Sequence, residues 1–121
     1  MPTLSFPHDE HNFGGQPMVR LATEHSTPLY AYDSQRITQR IADLRALLPH
    51  SIGIHYAIKA NPFPPVLRLI AGQVDGVDIA SAGELDLALA AGITPERISF
   101  AGPGKRDSEL AQAVAAHVLI N

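Results

Sequence analysis

The stretch that decides the fold runs from residue 52 to residue 101 and reads IGIHYAIKANPFPPVLRLIAGQVDGVDIASAGELDLALAAGITPERISFA. Three short strand candidates stand in it: Ile52–Ile58, Gly76–Ala80 and Ile98–Ala101. Between them lie Pro64–Ala71 and Gly83–Ala91, rich in Leu, Ala and Val, which read as helices. Working outward, Asp107–Ala116 repeats the helical composition and His117–Asn121 is a fourth strand candidate. The strand candidates begin about 20 to 24 residues apart, a spacing that leaves room for a crossover helix and so predicts parallel βα units. A closed (β/α)8 barrel and a doubly wound open sheet both have this rhythm.

Upstream, Ile37, Ile41, Leu44 and Leu48 recur at helical spacing, which predicts an amphipathic helix over 34–48 ended by Pro49. Asp33 and Ser34 are its N-cap candidates. Leu29–Tyr32, after Thr27-Pro28, reads as a short strand. Residues 1 to about 17 carry Pro2, Pro7, Gly14, Gly15 and Pro17 and read as an irregular lead-in. His8 and His11 flank Asp9 and Glu10, which invites a metal reading, but a solvated tail is the expectation there, and no metal site is expected.

The composition is that of a globular chain: 121 residues, 45% hydrophobic, 17% charged. Every apolar run is interrupted well short of the roughly 18 residues that span a membrane. Met1 to Gln16 lacks the basic-then-apolar pattern of a secretory signal, so a cytoplasmic location is expected. The chain has no cysteine, which excludes disulfides, thiolate metal sites and a Cys nucleophile within it. A net charge of −3 gives no footprint for nucleic acid or an anionic membrane. No Gly-x-Gly-x-x-Gly follows a strand, and Gly104-Lys105 is followed by Arg106 rather than Ser or Thr, so the dinucleotide and Walker A fingerprints are absent.

In a barrel, alternate strand residues face inward and functional groups gather at the C-terminal strand ends. On the first strand, Gly53, His55, Ala57 and Lys59 share the small, inward set, while Ile54, Tyr56 and Ile58 face the helices. Lys59 then stands at the barrel mouth, where an amine suits Schiff-base chemistry; the alternative is a solvated lysine in a βα loop. On the second strand Gly76, Asp78 and Ala80 face inward, which makes Asp78 the expected charge partner of Lys59; a structural Asp bonded to loop amides is the alternative. Ser81-Ala82-Gly83-Glu84 fits a capping box, which by itself explains Glu84. The loop Ala101-Gly102-Pro103-Gly104-Lys105 reads as an ordinary βα turn more than as a ligand loop. His55 is expected to be a core histidine, and His25, His50 and His117 are weak base candidates.

Tyr56-Ala57-Ile58-Lys59-Ala60-Asn61 resembles the cofactor-lysine motif of the fold-type III pyridoxal-phosphate-dependent decarboxylases, the diaminopimelate, ornithine and arginine decarboxylase family. Gly76-Val77-Asp78-Ile79-Ala80-Ser81-Ala82-Gly83-Glu84-Leu85 and Ile98-Ser99-Phe100-Ala101-Gly102-Pro103-Gly104-Lys105 are similar to its next two blocks, in family order. Thr27–Asp33 resembles the entry to its barrel. The wording of residues 100–107 is most similar to the diaminopimelate-decarboxylase-like group, within it the decarboxylases associated with the exosortase A system.

The resemblance implies the N-terminal half of a (β/α)8 TIM barrel of the alanine racemase-like type, with about four βα units present. It implies a lead-in over 1–27 and a partial pyridoxal-phosphate-binding barrel domain over 28–121. It also implies pyridoxal 5'-phosphate as cofactor, an amino-acid substrate, and decarboxylation in a full-length parent expected to be a homodimer. Lys59 is implied as the Schiff-base lysine, Ala57 as the residue beside the cofactor ring, Asp78 and Glu84 as acidic neighbours, and Asn61 as the residue shaping the lysine loop. A barrel of this kind has eight strands and about 250 residues, so the 121 residues are expected to be an N-terminal part, inactive alone. The family's phosphate-binding glycine loop, the acidic partner of the pyridine nitrogen and the ring-stacking histidine have no counterpart in it. A non-catalytic remnant or binding fragment, and a racemase-type or cofactor-carrier barrel, are the alternatives.

Overall fold

The computed structural model describes residues 12–121; the His8–His11 cluster lies outside them. The chain falls into two compact units that divide between Ile37 and Thr38.

In the first unit the expected irregular lead-in is replaced, over 12–17, by a hairpin. Strands β1 (Asn12–Phe13) and β2 (Gln16–Pro17) pair antiparallel with Phe13 opposite Gln16. Gly14 and Gly15, at φ 58° and 74°, form its turn; two successive left-handed residues match the twist of a two-residue hairpin, and glycine takes that conformation without a Cβ clash. Helix α1 (Met18–His25), to which the sequence assigned no element, follows, with Arg20 and Glu24 paired one turn apart at 2.7 Å. Leu29–Tyr32 forms no strand: it has no sheet partner among the described residues, and Tyr30 is 91% exposed. A strand needs a ladder partner to satisfy its amides. Asp33 then caps helix α2 (Ser34–Leu47), its Oδ1 accepting from the amides of Gln35 at 2.9 Å and Arg36 at 3.2 Å.

The second unit is the βα succession. Strands β3 (His55–Ala57), β4 (Gly76–Ile79), β5 (Ile98–Phe100) and β6 (Leu119–Ile120) form one parallel sheet in the order β3-β4-β5-β6. Helices α3 (Pro64–Ala71), α4 (Ala82–Ala90) and α5 (Asp107–Ala115) connect them. Sequential order without a reversal separates the two sheet architectures. A doubly wound sheet turns back at a switch point, whereas right-handed crossovers that always advance put every helix on one face and build a barrel wall. The fold is α/β, in accord with the N-terminal part of a TIM barrel.

The first and last strands are shorter than expected at both ends, whereas β4 and β5 begin where expected and lose only their last residue. Residues 49–52 are spent on a turn, closed by the Ile52 amide donating to the Pro49 carbonyl at 2.9 Å, so β3 begins at His55 rather than Ile52. His117 takes φ 59° on leaving α5 and does not open β6. The outer face of the sheet carries the core: Val77, Ile79, Ile98 and Phe100 are buried with Ile58, Leu67 and Leu85. Fully burying side chains of this size contributes about 1.5–3 kcal/mol each. Register places Ala57, Asp78, Ser99 and Leu119 side by side on the opposite, inner face, with His55 beside Gly76 one step below.

Two arginines tie the N-terminal end of the sheet. Arg45 of α2 meets Asp75 Oδ2 at 2.6 Å, and the same oxygen accepts the Ile54 amide at 2.6 Å. Those two contacts, the amide first, hold the Asp75 carboxyl below its ordinary value. Arg97 donates to the carbonyls of Ala71 at 2.7 Å, Val74 at 2.6 Å and Asp75 at 3.0 Å, closing the C-terminal end of α3 and the turn after it.

Candidate functional site

The C-terminal edge of the sheet is built from the loops after β3, β4 and β5. After β3 the chain leaves the strand early. Ile58–Ala60 is a single 3₁₀ turn, closed by the Asn61 amide donating to the Ile58 carbonyl at 3.1 Å. Lys59 therefore stands in this turn and does not continue the strand face of His55 and Ala57. Tyr56 donates its hydroxyl to the Asn61 carbonyl at 3.1 Å, and Asn61 Oδ1 accepts the Phe63 amide at 3.0 Å. The loop is thus pinned on both sides of Asn61 while the Lys59 residue is exposed.

The chain has two lysines, and they differ sharply. Lys105 Nζ donates to the carbonyls of Gly102 at 2.7 Å and Asn121 at 2.5 Å and lies 5.3 Å from the centre of the Phe100 ring. Its amine is committed to holding the Ala101–Lys105 loop. Lys59 forms no ion pair or side-chain hydrogen bond with any described residue.

After β4 the corner is self-capped. Ser81 Oγ accepts the Glu84 amide at 3.2 Å, the N-cap half of the expected capping box, but Glu84 Oε2 accepts the Ala80 amide at 2.7 Å, one residue before the cap, so the reciprocal half does not form. Glu109 reaches across from α5: its Oε1 accepts the Ala82 amide and its Oε2 the Arg106 amide, each at 3.0 Å. These two amides, Ala82 first, hold the Glu109 carboxyl below its ordinary value. Gly102 approaches this corner so closely that a Cβ on it would stand 3.2 Å from the Ala80 carbonyl oxygen.

Asp78 lies on the inner face, as expected, but its partner is His55 and not Lys59. His55 Nδ1 and Asp78 Oδ1 are 3.0 Å apart, with side chains 40% and 41% exposed. The reason is geometric: Lys59 has turned off the strand, whereas His55 occupies the neighbouring strand one step below Asp78. His55 is accordingly not a core histidine. Sequence reasoning missed this pair and the Glu109 bridge. A glycine opposite His55 in register was the available sign of the first, but register across a parallel sheet is not written in either strand alone. Ala57 is half-buried on the inner face, and Ser99, buried, hydrogen-bonds Asn121 Nδ2 through its hydroxyl at 2.8 Å.

The edge thus offers one primary amine without a partner among the described residues, in the turn that follows β3, and a carboxylate–imidazole pair on the inner face of the sheet. Such an amine is suited to covalent attachment of an aldehyde.

Comparison with known proteins places this arrangement. The family described as pyridoxal-dependent decarboxylase, pyridoxal binding domain, matches residues 34–120. Diaminopimelate decarboxylase of Aquifex aeolicus is 41% identical over 119 residues, covering 98% of this chain and 28% of the relative. The crystal structure of diaminopimelate decarboxylase from Helicobacter pylori complexed with L-lysine superposes with a TM-score of 0.77 at 37% identity, covering 86% of this chain and 27% of that one. The lysine/ornithine decarboxylase from Vibrio vulnificus complexed with putrescine does so with 0.76 at 28% identity, covering 84% and 28%. The chain spans just over a quarter of the length of each of these relatives.

Proposed function

Because this chain belongs to the pyridoxal-dependent decarboxylases, through their pyridoxal-binding domain, we propose that Lys59 is the residue that binds pyridoxal 5'-phosphate, in an enzyme that removes carbon dioxide from an amino acid. One observation carries the assignment of Lys59: of two lysines, it alone has an amine free of any partner among the described residues, and it stands at the C-terminal edge of the sheet.

The residues present fit the cofactor. A planar ring needs a floor without bulk, and Ala57 and Ser99 supply small side chains on the inner face next to the strand that leads into the lysine turn. When bound, the cofactor supplies an electron sink for the carbon that loses its carboxylate. In this reading Lys59 holds the cofactor by its Nζ and releases it to the incoming amino group. The Tyr56–Asn61–Phe63 bonds fix where that amine emerges. Ala57 lies beside the ring, and Asp78 and Glu84 are acidic neighbours on the same edge, Glu84 while its carboxylate holds the Ala80 amide.

The substrate is proposed to be an α-amino acid, with diaminopimelate the first to test on the names of the relatives. Placement in the exosortase A-associated subgroup is proposed on the wording of residues 100–107 alone. The barrel domain is proposed to begin at residue 28, after a lead-in. The parent is proposed to be a cytoplasmic homodimer that binds neither nucleic acid nor membrane; among the described residues no helix is long and apolar enough to cross a bilayer. Turnover by the 121-residue chain alone is not expected, since the inner face is open to water and such chemistry gains from water exclusion.

The test is chemical trapping. The chain is incubated with pyridoxal phosphate, followed by absorbance, reduced with borohydride and mapped by peptide mass. The expected adduct is on Lys59 and is lost in Lys59→Ala. A folded chain with no adduct, or one modified at Lys105 in preference, overturns the assignment.

A further inference from the structure

His55 and Asp78 form a pair on the inner face that the proposed chemistry does not by itself require. Strands β3 and β4 run parallel with His55 opposite Gly76 and Ala57 opposite Asp78. The His55 ring lies directly over Gly76: a Cβ at that position would stand 2.6 Å from His55 Cε1 and 2.7 Å from Nε2. Only a residue without a side chain leaves room for the ring. Seated there, the ring leans along the sheet toward the next inward residue of β4, and its Nδ1 meets Asp78 Oδ1 at 3.0 Å. An ionised carboxylate only accepts, so Nδ1 is the donor and carries the hydrogen. Asp78 Oδ2 takes no hydrogen bond from any described residue.

We propose that His55 is a positioning residue: it holds Asp78 by one oxygen, from a seat made by Gly76, so that the other oxygen is presented to the amine at the mouth of the sheet. The ligand recognised by that free oxygen is a primary ammonium, that of Lys59 before the cofactor is attached or that of an incoming amino acid afterwards. Without the imidazole, an exposed carboxylate on a short side chain samples several rotamers, and its charge is spread over all of them. The inference rests on the proposed role of Lys59, and its test keeps the two apart.

The first measurement needs neither cofactor nor variant. Long-range proton–nitrogen NMR of histidine-labelled chain, at a mildly alkaline pH where imidazoles are neutral, reads the tautomer of each ring. His55 is expected as the Nδ1–H form, and Asp78→Ala is expected to return it to Nε2–H. The second measurement is the rate of borohydride-trapped pyridoxal phosphate adduct formation at Lys59. His55→Leu, which keeps bulk without a donor, is expected to slow it by up to about a hundredfold, the scale of a misplacement of about 1 Å. His55→Asn, whose side-chain amide nitrogen stands where Nδ1 does, is expected to restore most of the rate. A purely structural role would be served as well by Leu as by Asn. An Nε2–H tautomer in the unaltered chain, an unchanged rate in His55→Leu, or no recovery in His55→Asn overturns the proposal. Absence of any Lys59 adduct in the unaltered chain overturns the Lys59 assignment instead, and the tautomer then decides separately whether His55 holds Asp78.

Discussion

Glu109 accepts the backbone amide of Ala82, twenty-seven positions earlier, at 3.0 Å, and so joins the first turns of two successive helices through one carboxylate. The same side chain accepts the Arg106 amide, which makes it the N-terminal cap of its own helix as well. Glu109→Ala leaves both amides without these partners and is expected to lower the unfolding midpoint. Glu109→Gln, which keeps an acceptor oxygen, is expected to lie between. Urea titrations of the three proteins check the order.

Acid is expected to weaken the second unit through Glu109 and Asp75. Both carboxyls are held below their ordinary values of 4.5 and 3.8 by amides, and Asp75 also by Arg45. The unfolded chain therefore binds more protons than the folded one in this range, so stability rises with pH. The contribution is fully present above the ordinary values and is lost as pH falls through the lower, folded ones. Urea midpoints measured at neutral pH and stepwise toward pH of about 3 are expected to fall most steeply below the ordinary value of each group. Asp75→Asn is expected to flatten part of that fall.

Gly76→Ala places a methyl group against the His55 ring and 2.8 Å from the Arg97 carbonyl oxygen. Overpacking of this kind costs about 1–3 kcal/mol. The double substitution His55→Ala with Gly76→Ala is expected to recover part of the loss, because the ring then yields but the backbone carbonyl does not. A double-mutant cycle by chemical denaturation gives the two contributions.

Arg97→Ala removes three hydrogen bonds from a guanidinium to the carbonyls behind α3. Loss of charged donors at such a point costs about 1.5–3 kcal/mol. Arg97→Lys is expected to recover little, since a single ammonium does not span the three acceptors that the planar fork reaches.

Tyr56→Phe removes the hydroxyl that holds the Asn61 carbonyl. A neutral hydrogen bond of this kind contributes about 1 kcal/mol. Amide exchange around residues 59–63 is expected to quicken while that of Val77 and Ile98 is unchanged, which would place the looseness in the lysine loop alone.

The βα rhythm, the parallel sheet and the inner position of Ala57 and Asp78 were legible in the sequence, because alternation has a period of two whatever the neighbouring strand does. So was the Ser81 cap of α4, which accepts the Glu84 amide three residues on, though the Glu84 carboxylate takes the Ala80 amide and not that of Ser81. The exit of Lys59 from its strand was not, since a 3₁₀ turn ahead of Pro62 and a continued strand carry the same residues. Nor was the replacement of Lys59 by His55 as partner of Asp78. That depends on which residue of β3 stands opposite Gly76, and register belongs to two strands at once. The hairpin at Asn12–Pro17 was written in Gly14-Gly15 but masked by the surrounding prolines, and Leu29–Tyr32 has strand composition without a strand's neighbour.

The corner where β4 passes into α4 has a further effect on what approaches it. Two of the first three amides of this helix are already engaged, that of Ala82 by Glu109 and that of Glu84 by Ser81, and the Ala80 amide before them by Glu84. A helix start ordinarily attracts anions. Here Glu84 and Glu109 bring two carboxylates to the helix start and take amides for themselves, so few are left there for a phosphate to take.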